Sequence, residues 1–186
     1  MKKVFLALLL FFCIGATAQT TAELFIGKQQ KIFLERTAVT DNSCTFGYLE
    51  STYGGGSMFK AFHEQKFWNA PIYGHIEYQT TFDGNHVYVG GVGLYKFLNN
   101  GFLELCPMYR YDGKSNWNLS FIYLFNWKYL ELYGYNHLWG QDNPFFFGEE
   151  RVHFKLGQHF RIGGAIDISY FGELNVTPMF GLRYDF

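Results

Sequence analysis

From Gln19 to the last residue, apolar side chains recur at nearly every second position. Successive side chains of a strand point to opposite faces, so period two describes a strand with one apolar and one polar face. The closing segment NVTPMFGLRYDF, 175–186, is the clearest case. Val176, Pro178, Phe180, Leu182, Tyr184 and Phe186 form one face, against Asn175, Thr177, Met179, Gly181, Arg183 and Asp185. In 160–170, Phe160, Ile162, Ile166, Ile168 and Tyr170 oppose Arg161, Gly163, Ala165, Asp167 and Ser169. In 103–111, Leu103, Leu105, Pro107, Tyr109 and Tyr111 oppose Glu104, Cys106, Met108 and Arg110.

Turn-forming clusters separate these runs: TDNS at 40–43, GGGS at 54–57, DGNH at 83–86, NNG at 99–101, DGKSN at 112–116 and GQDNP at 140–144. The breaks divide the chain into segments near 20–27, 30–39, 44–53, 57–67, 71–82, 86–98, 101–111, 116–127, 129–139, 145–156, 159–171 and 173–186. That predicts twelve strands, or ten if the weaker break near Gly27 or the one at Lys128 is false. A tilted membrane strand takes ~9–11 residues. The 168 residues after position 18 allow 14 per strand and turn at twelve strands, so connections are short.

The first 18 residues read differently. Lys2 and Lys3 precede an apolar run, Val4–Ala16, and Ala16-Thr17-Ala18 offers a small-residue cleavage site before Gln19. This is the pattern of a signal peptide. The run is shorter than the ~18 residues a membrane helix needs. The expected organisation is therefore a leader, 1–18, and a single domain, 19–186. Without Lys2 and Lys3, thirteen basic residues face sixteen acidic ones, and no basic block exists to support nucleic-acid binding. Cys44 and Cys106 remain after cleavage, and an exported location leaves their pairing open.

A soluble sandwich and a membrane barrel both alternate. Three features favour the barrel. The apolar faces run to six consecutive positions. Aromatics gather near segment ends (Phe67, Trp68, Phe82, Phe97, Tyr109, Tyr111, Trp117, Trp127, Trp139, Tyr170, Tyr184 and Phe186), as in interfacial girdles. The opposite faces carry charges of both signs, and an Arg or Lys turned to lipid at the midplane costs ~2–4 kcal/mol. Turned inward, charges can pair or meet water. The sequence thus predicts an all-β, antiparallel transmembrane β-barrel. Its candidate lumen-lining and solute-binding residues are Glu35, Glu50, Glu64, Tyr73, Glu77, Glu104, Arg110, Glu131, Tyr133, Arg151, His153, Arg161, Asp167 and Arg183. Lys60, Lys155 and Asp185 share that parity, as do the aromatics Phe46, Tyr48, Phe62 and Tyr135. Gln65, Asn136 and Glu150 fall on the apolar parity and are expected at the membrane edge. Segment 87–97 reads in either register.

Three stretches, ELFIGKQQKIFLERTAV, FGYLESTYGG and KFWNAPIYGHIEY, resemble the small nucleoside-channel-like outer-membrane barrels of Bacteroidota. Those are distantly similar to the nucleoside-specific outer-membrane channel. The resemblance implies a Gram-negative outer membrane, a terminal aromatic, Phe186, read by the barrel assembly machinery, and passive, selective diffusion of a small polar solute such as a nucleoside. The alternatives are a sealed barrel with a structural role, or a lipid-modifying enzyme. The enzyme would need a Ser–His pair with an acidic partner. His63, His75, His86, His137, His153 and His159 accompany Ser51, Ser57, Ser115, Ser120 and Ser169, but no spacing marks a nucleophile, so no enzyme is expected. His137 and His153 share the inward parity on adjacent segments, without Cys or carboxylate at ligand spacing, so neither metal nor cofactor is expected.

Overall fold

The structure, a computed structural model, describes residues 18–28, 30–40, 42–53, 56–67, 70–81, 84–110, 116–140 and 144–186, with the backbone alone at 39, 81, 84–97, 110 and 116. The leader reading falls on 1–17, outside the described residues. So do Trp68, Phe82, Tyr111 and most of the turns at 112–116 and 140–144.

The strands are β1 (Gln19–Gly27), β2 (Gln30–Val39), β3 (Ser43–Thr52), β4 (Gly56–Lys66), β5 (Ile72–Thr81), β6 (Gly84–Leu98), β7 (Gly101–Arg110), β8 (Asn116–Asn126), β9 (Leu130–Gly140), β10 (Phe145–Lys155), β11 (Phe160–Tyr170) and β12 (Leu174–Asp185). Each pairs antiparallel with its neighbours in sequence, and β12 returns to β1, which closes the sheet into a barrel. At the seam Ala22 faces Tyr184, Leu24 faces Leu182 and Ile26 faces Phe180. Phe186 N–H donates to the Thr20 carbonyl at 2.9 Å, so the ladder runs to the last residue. Closure leaves no unpaired edge. Chain termini and the β2–β3, β4–β5, β6–β7, β8–β9 and β10–β11 turns share one end, here the terminal end; the other turns lie at the far end.

Alternation sorts the faces as the period predicts. Leu24, Ile26, Ile32 and Leu34 are exposed outward, while Phe25 and Phe33 between them are buried. Val176, Phe180 and Tyr184 are exposed, while Met179, Gly181 and Asp185 are buried. A largely apolar exterior around a charged interior, among the described residues, inverts a water-soluble protein and matches a membrane barrel. Inside the seam, Phe25, Phe33, Ala165 and Met179 form an apolar cluster with Tyr48 packed against it. The Phe25 ring lies over Gly181, where an added Cβ would come within 2.5 Å of it.

Four readings change. Trp139 is not part of an outward girdle. It shares the inward parity of His137, and stacks at 4.5 Å on Phe145, which stacks at 4.8 Å on Phe171. Glu150 and Asn136 are not at an edge but in mid-strand, facing outward. The Glu150 carboxylate accepts from Tyr123 Oη, and from Asn136 Nδ2 at 2.9 Å. Gln65, by contrast, is at a strand end and donates to the Asn42 carbonyl at 3.0 Å. Lys155 ends β10 rather than lying mid-strand, and caps the Trp127 carbonyl at 2.7 Å. The ambiguity of 87–97 also has a cause. The register of β6 slips by one between Gly90 and Leu94 against β7, and opposite Tyr73 and His75 on β5. A one-residue bulge swaps the two faces, so each register holds on one side of it.

Candidate functional site

The lumen is built by strand parity, which turns the polar face of each strand toward the barrel axis. Of the fourteen expected lumen residues, thirteen have described side chains, and each lies on the inward parity; the Arg110 side chain lies outside the described set. Glu64, Glu77, Glu104, Glu131, Arg151 and His153 are buried, as are Glu35, Tyr73 and Arg161; Glu50, Tyr133, Asp167 and Arg183 are half-buried.

One ion network crosses the seam side of the barrel. Arg151 on β10 binds Glu23 on β1, Glu35 on β2 at 2.7 Å and Glu149 on its own strand at 2.5 Å. Its guanidinium also lies over Phe33, 4.4 Å from the ring centre. Toward the far end, Lys31 meets Asp167 at 2.5 Å, Glu149 at 3.4 Å and Glu50 at 3.6 Å. Toward the terminal end, Arg183 meets Glu131 at 2.9 Å and Asp185 at 2.8 Å, while Arg161 meets Glu131 and, at 2.7 Å, Asp185. Four cations thus share seven carboxylates. Across the lumen, Lys60 on β4 pairs with Glu77 at 2.8 Å and lies 4.1 Å from the Tyr135 ring centre on β9. Beside it, His75 Nδ1 hydrogen-bonds to Glu64 Oε1 at 2.9 Å. Glu64, Glu77 and Glu104 bring the interior to ten carboxylates against five Lys and Arg among the described residues.

Three of the expected inward aromatics, Phe46, Tyr48 and Phe62, join Phe33 in a track over β2 to β5. Phe33 to Tyr48, Tyr48 to Phe46 and Phe46 to Phe62 have ring centres 6.0, 5.8 and 5.2 Å apart, and Phe62 stacks on His75 at 5.1 Å. A vestibule of about 320 Å³ opens among Gln19, Thr37, Cys44 and Asn126 at the terminal end. A void of about 40 Å³ lies farther in, beside Tyr48, Glu50 and Phe147. Glu35, Phe46, Tyr133 and Arg151 line both and form the wall between them.

Sequence reasoning missed Glu23, Lys31 and Glu149, which are central to the network, and the inward rings Phe25 and Phe33. Parity held the signal: Lys31 and Phe33 are in step with Glu35, and Glu149 with Arg151. His137 and His153 do not meet. His137 pairs with Phe147 and His153 with Glu131, six residues apart along each strand and so roughly 20 Å. His137 bonds instead to Asn118 Oδ1 at 3.1 Å. Cys44 and Cys106 are free thiols. Among the described residues, His63 bonds to Thr45 at 2.8 Å and His159 to the Asp185 carbonyl at 2.8 Å, so neither imidazole is held by a serine.

No protein-family model and no curated protein matches the sequence. Solved structures do match in shape. The NanC porin superposes with a TM-score of 0.68 at 5% identity, over 90% of this chain and 98% of that one. The KdgM porin, solved in complex with disordered oligogalacturonate, superposes with a TM-score of 0.64 at 7% identity, over 90% of this chain and 99% of that one. Identity this low establishes a shared fold, a small porin-type β-barrel.

Proposed function

We propose that this chain is a twelve-stranded outer-membrane channel for passive, selective diffusion of a small polar solute that is neutral or positively charged. The observation that carries the proposal is the vestibule, which ends on a wall of Glu35, Arg151, Tyr133 and Phe46 with a second void behind it. Its volume falls at the lower end of the ~300–1,000 Å³ typical of small-molecule sites. Passage requires Arg151 to exchange partners among its carboxylates. A diffusing solute can offset that exchange by donating hydrogen bonds to Glu35, Glu104 and Glu131, which line the vestibule.

The solute class follows from chemistry. Oligogalacturonate, the ligand of the KdgM complex, is a polyanion. Among the described residues, ten interior carboxylates against five cations repel a polyanion, so the cargo here differs in charge. Hydroxyl-rich solutes suit carboxylate acceptors, and a planar base suits Phe46, Phe62 and Tyr133, where a stack contributes ~1–3 kcal/mol in open sites. Nucleosides combine both. The chain would reach the membrane as an exported precursor cut near Ala18, and Phe186 would be read by the barrel assembly machinery.

The test is planar-bilayer conductance of purified, refolded protein. Small conductance steps are expected, reduced by millimolar nucleoside, with the block weakened by Glu35→Gln and Phe46→Ala. Conductance untouched by nucleosides would remove that cargo. A second reading, a sealed structural barrel, is favoured by the binding of Arg151 to three carboxylates at once; absence of any conductance would establish it over the channel. Phospholipase activity in the same preparation would favour an enzyme.

A further inference from the structure

His75, Glu104 and Cys106 come from β5 and β7, two strands that are not paired with each other. β6 runs between them and carries glycine at Gly90, Gly91 and Gly93, so those positions place no Cβ between the two walls. The ligand atoms of the three side chains lie within 4.8 Å of one another. All three residues are buried, with 4% or less of their surface exposed.

Two of the three groups lack a partner of their own. His75 Nε2 and Glu104 Oε1 are buried atoms with no hydrogen bond. His75 Nε2 does lie 3.5 Å from Glu77 Oε2, but that carboxylate is held by Lys60 at 2.8 Å. The other imidazole nitrogen, Nδ1, is held by Glu64 at 2.9 Å. With Nδ1 taken by a carboxylate, Nε2 is the nitrogen left to face a metal, which is how metal-binding imidazoles are oriented. Glu104 also lies against Glu64, and Glu77 and Glu104 share the single lysine Lys60 while Glu64 is held by His75, so negative charge is in excess around Glu104. An added divalent cation would offset that excess. Leaving buried polar atoms unpaired is costly, and more so for charged groups.

We propose that His75 Nε2, Glu104 and Cys106 Sγ form a binding site for a zinc-class divalent ion, with Glu64 orienting the imidazole. One nitrogen, one oxygen and one sulfur ligand select a borderline-soft ion over magnesium or calcium, which prefer oxygen. Contraction of the three atoms brings them to the ~2.0–2.3 Å that zinc requires and leaves a fourth position for water. Binding takes the Cys106 proton to solvent, since the thiolate is the ligand. Glu104 lines the vestibule, so the ion enters from the terminal end.

The test is titration of the refolded full chain with Cd²⁺, read by the thiolate-to-cadmium charge-transfer band. Saturation at one ion per chain is expected, with competition by Zn²⁺ and none by Mg²⁺. Cys106→Ser should abolish the band, Cys44→Ser should keep it, and Glu64→Gln should weaken binding about 10–100-fold. Strand circular dichroism and heat-dependent gel mobility confirm that each variant folds. If Cys106→Ser does not fold, His75→Gln gives the same test through loss of affinity. A folded wild type without the band overturns the site, as does a band lost in Cys44→Ser but kept in Cys106→Ser.

Discussion

Arg151 is the residue on which the interior turns. It holds Glu23, Glu35 and Glu149 together while covering Phe33. Replacing it with Met takes the cation from Glu35 and leaves Glu23 and Glu149 only the longer contacts to Arg183 and Lys31. Removing one partner of a buried ion pair costs about 3–5 kcal/mol. Arg151→Met should therefore lower the unfolding free energy of the refolded barrel in urea by that much, and should raise conductance, because the wall between the two voids loses its bridge. Outward polar groups follow the same logic in a drier medium. Glu150 faces lipid and is held by Tyr123 and Asn136 over Gly134, where any Cβ would overlap the Tyr123 ring and crowd the carboxylate. Tyr123→Phe should cost about 1–3 kcal/mol in the same unfolding experiment, the range for a lost buried donor. Parity alone places Glu150 on the lipid face. It does not show that strands β8 and β9 bring two partners to it, because those contacts join residues 14 and 27 positions away.

Among the elements, the β1–β12 seam depends most on detail. Phe25 from β1 lies on Gly181 of β12, and the cluster with Phe33, Ala165 and Met179 packs behind it. Gly181→Val should overpack the seam at a cost of about 1–3 kcal/mol. It should reduce the fraction of chain that keeps its compact, heat-resistant gel mobility, and Phe25→Ala in the same chain should restore it. The last residue is a separate matter. Phe186 is largely exposed, with its ring edge-on to Tyr184 at 5.0 Å, and contributes a backbone bond more than packing. Phe186→Ala should leave refolding in detergent unchanged while lowering the amount of barrel in outer-membrane fractions. Strand limits were legible to within about two residues because turns and period two are local signals. The β6 slip was not, since a bulge is defined against a partner strand that a single run of residues does not contain.

For the whole molecule the charge balance of the lumen decides what can pass. Among the described residues, ten inward carboxylates against five cations predict cation selectivity. In a salt gradient across a planar bilayer, the reversal potential should favour potassium over chloride, and Glu35→Gln with Glu131→Gln should shift it toward zero. An anion-selective potential would contradict the proposed solute class. The barrel itself and the inward or outward parity of its strands were readable from the chain, because alternation is written in consecutive residues and lipid tolerates only one of the two faces. Which inward charges meet was not readable. Arg151 finds Glu23 128 positions away, and Lys31 finds Glu149 118 positions away. The contact of His75 with Glu104 and Cys106 across β6 is of the same kind. Closure of the sheet makes these neighbours, through pairing register and strand order, and local sequence encodes neither at that range. Period two alone determines the architecture and its orientation to lipid; the filled lumen, its constriction and its sites exist only once the ring of strands has closed.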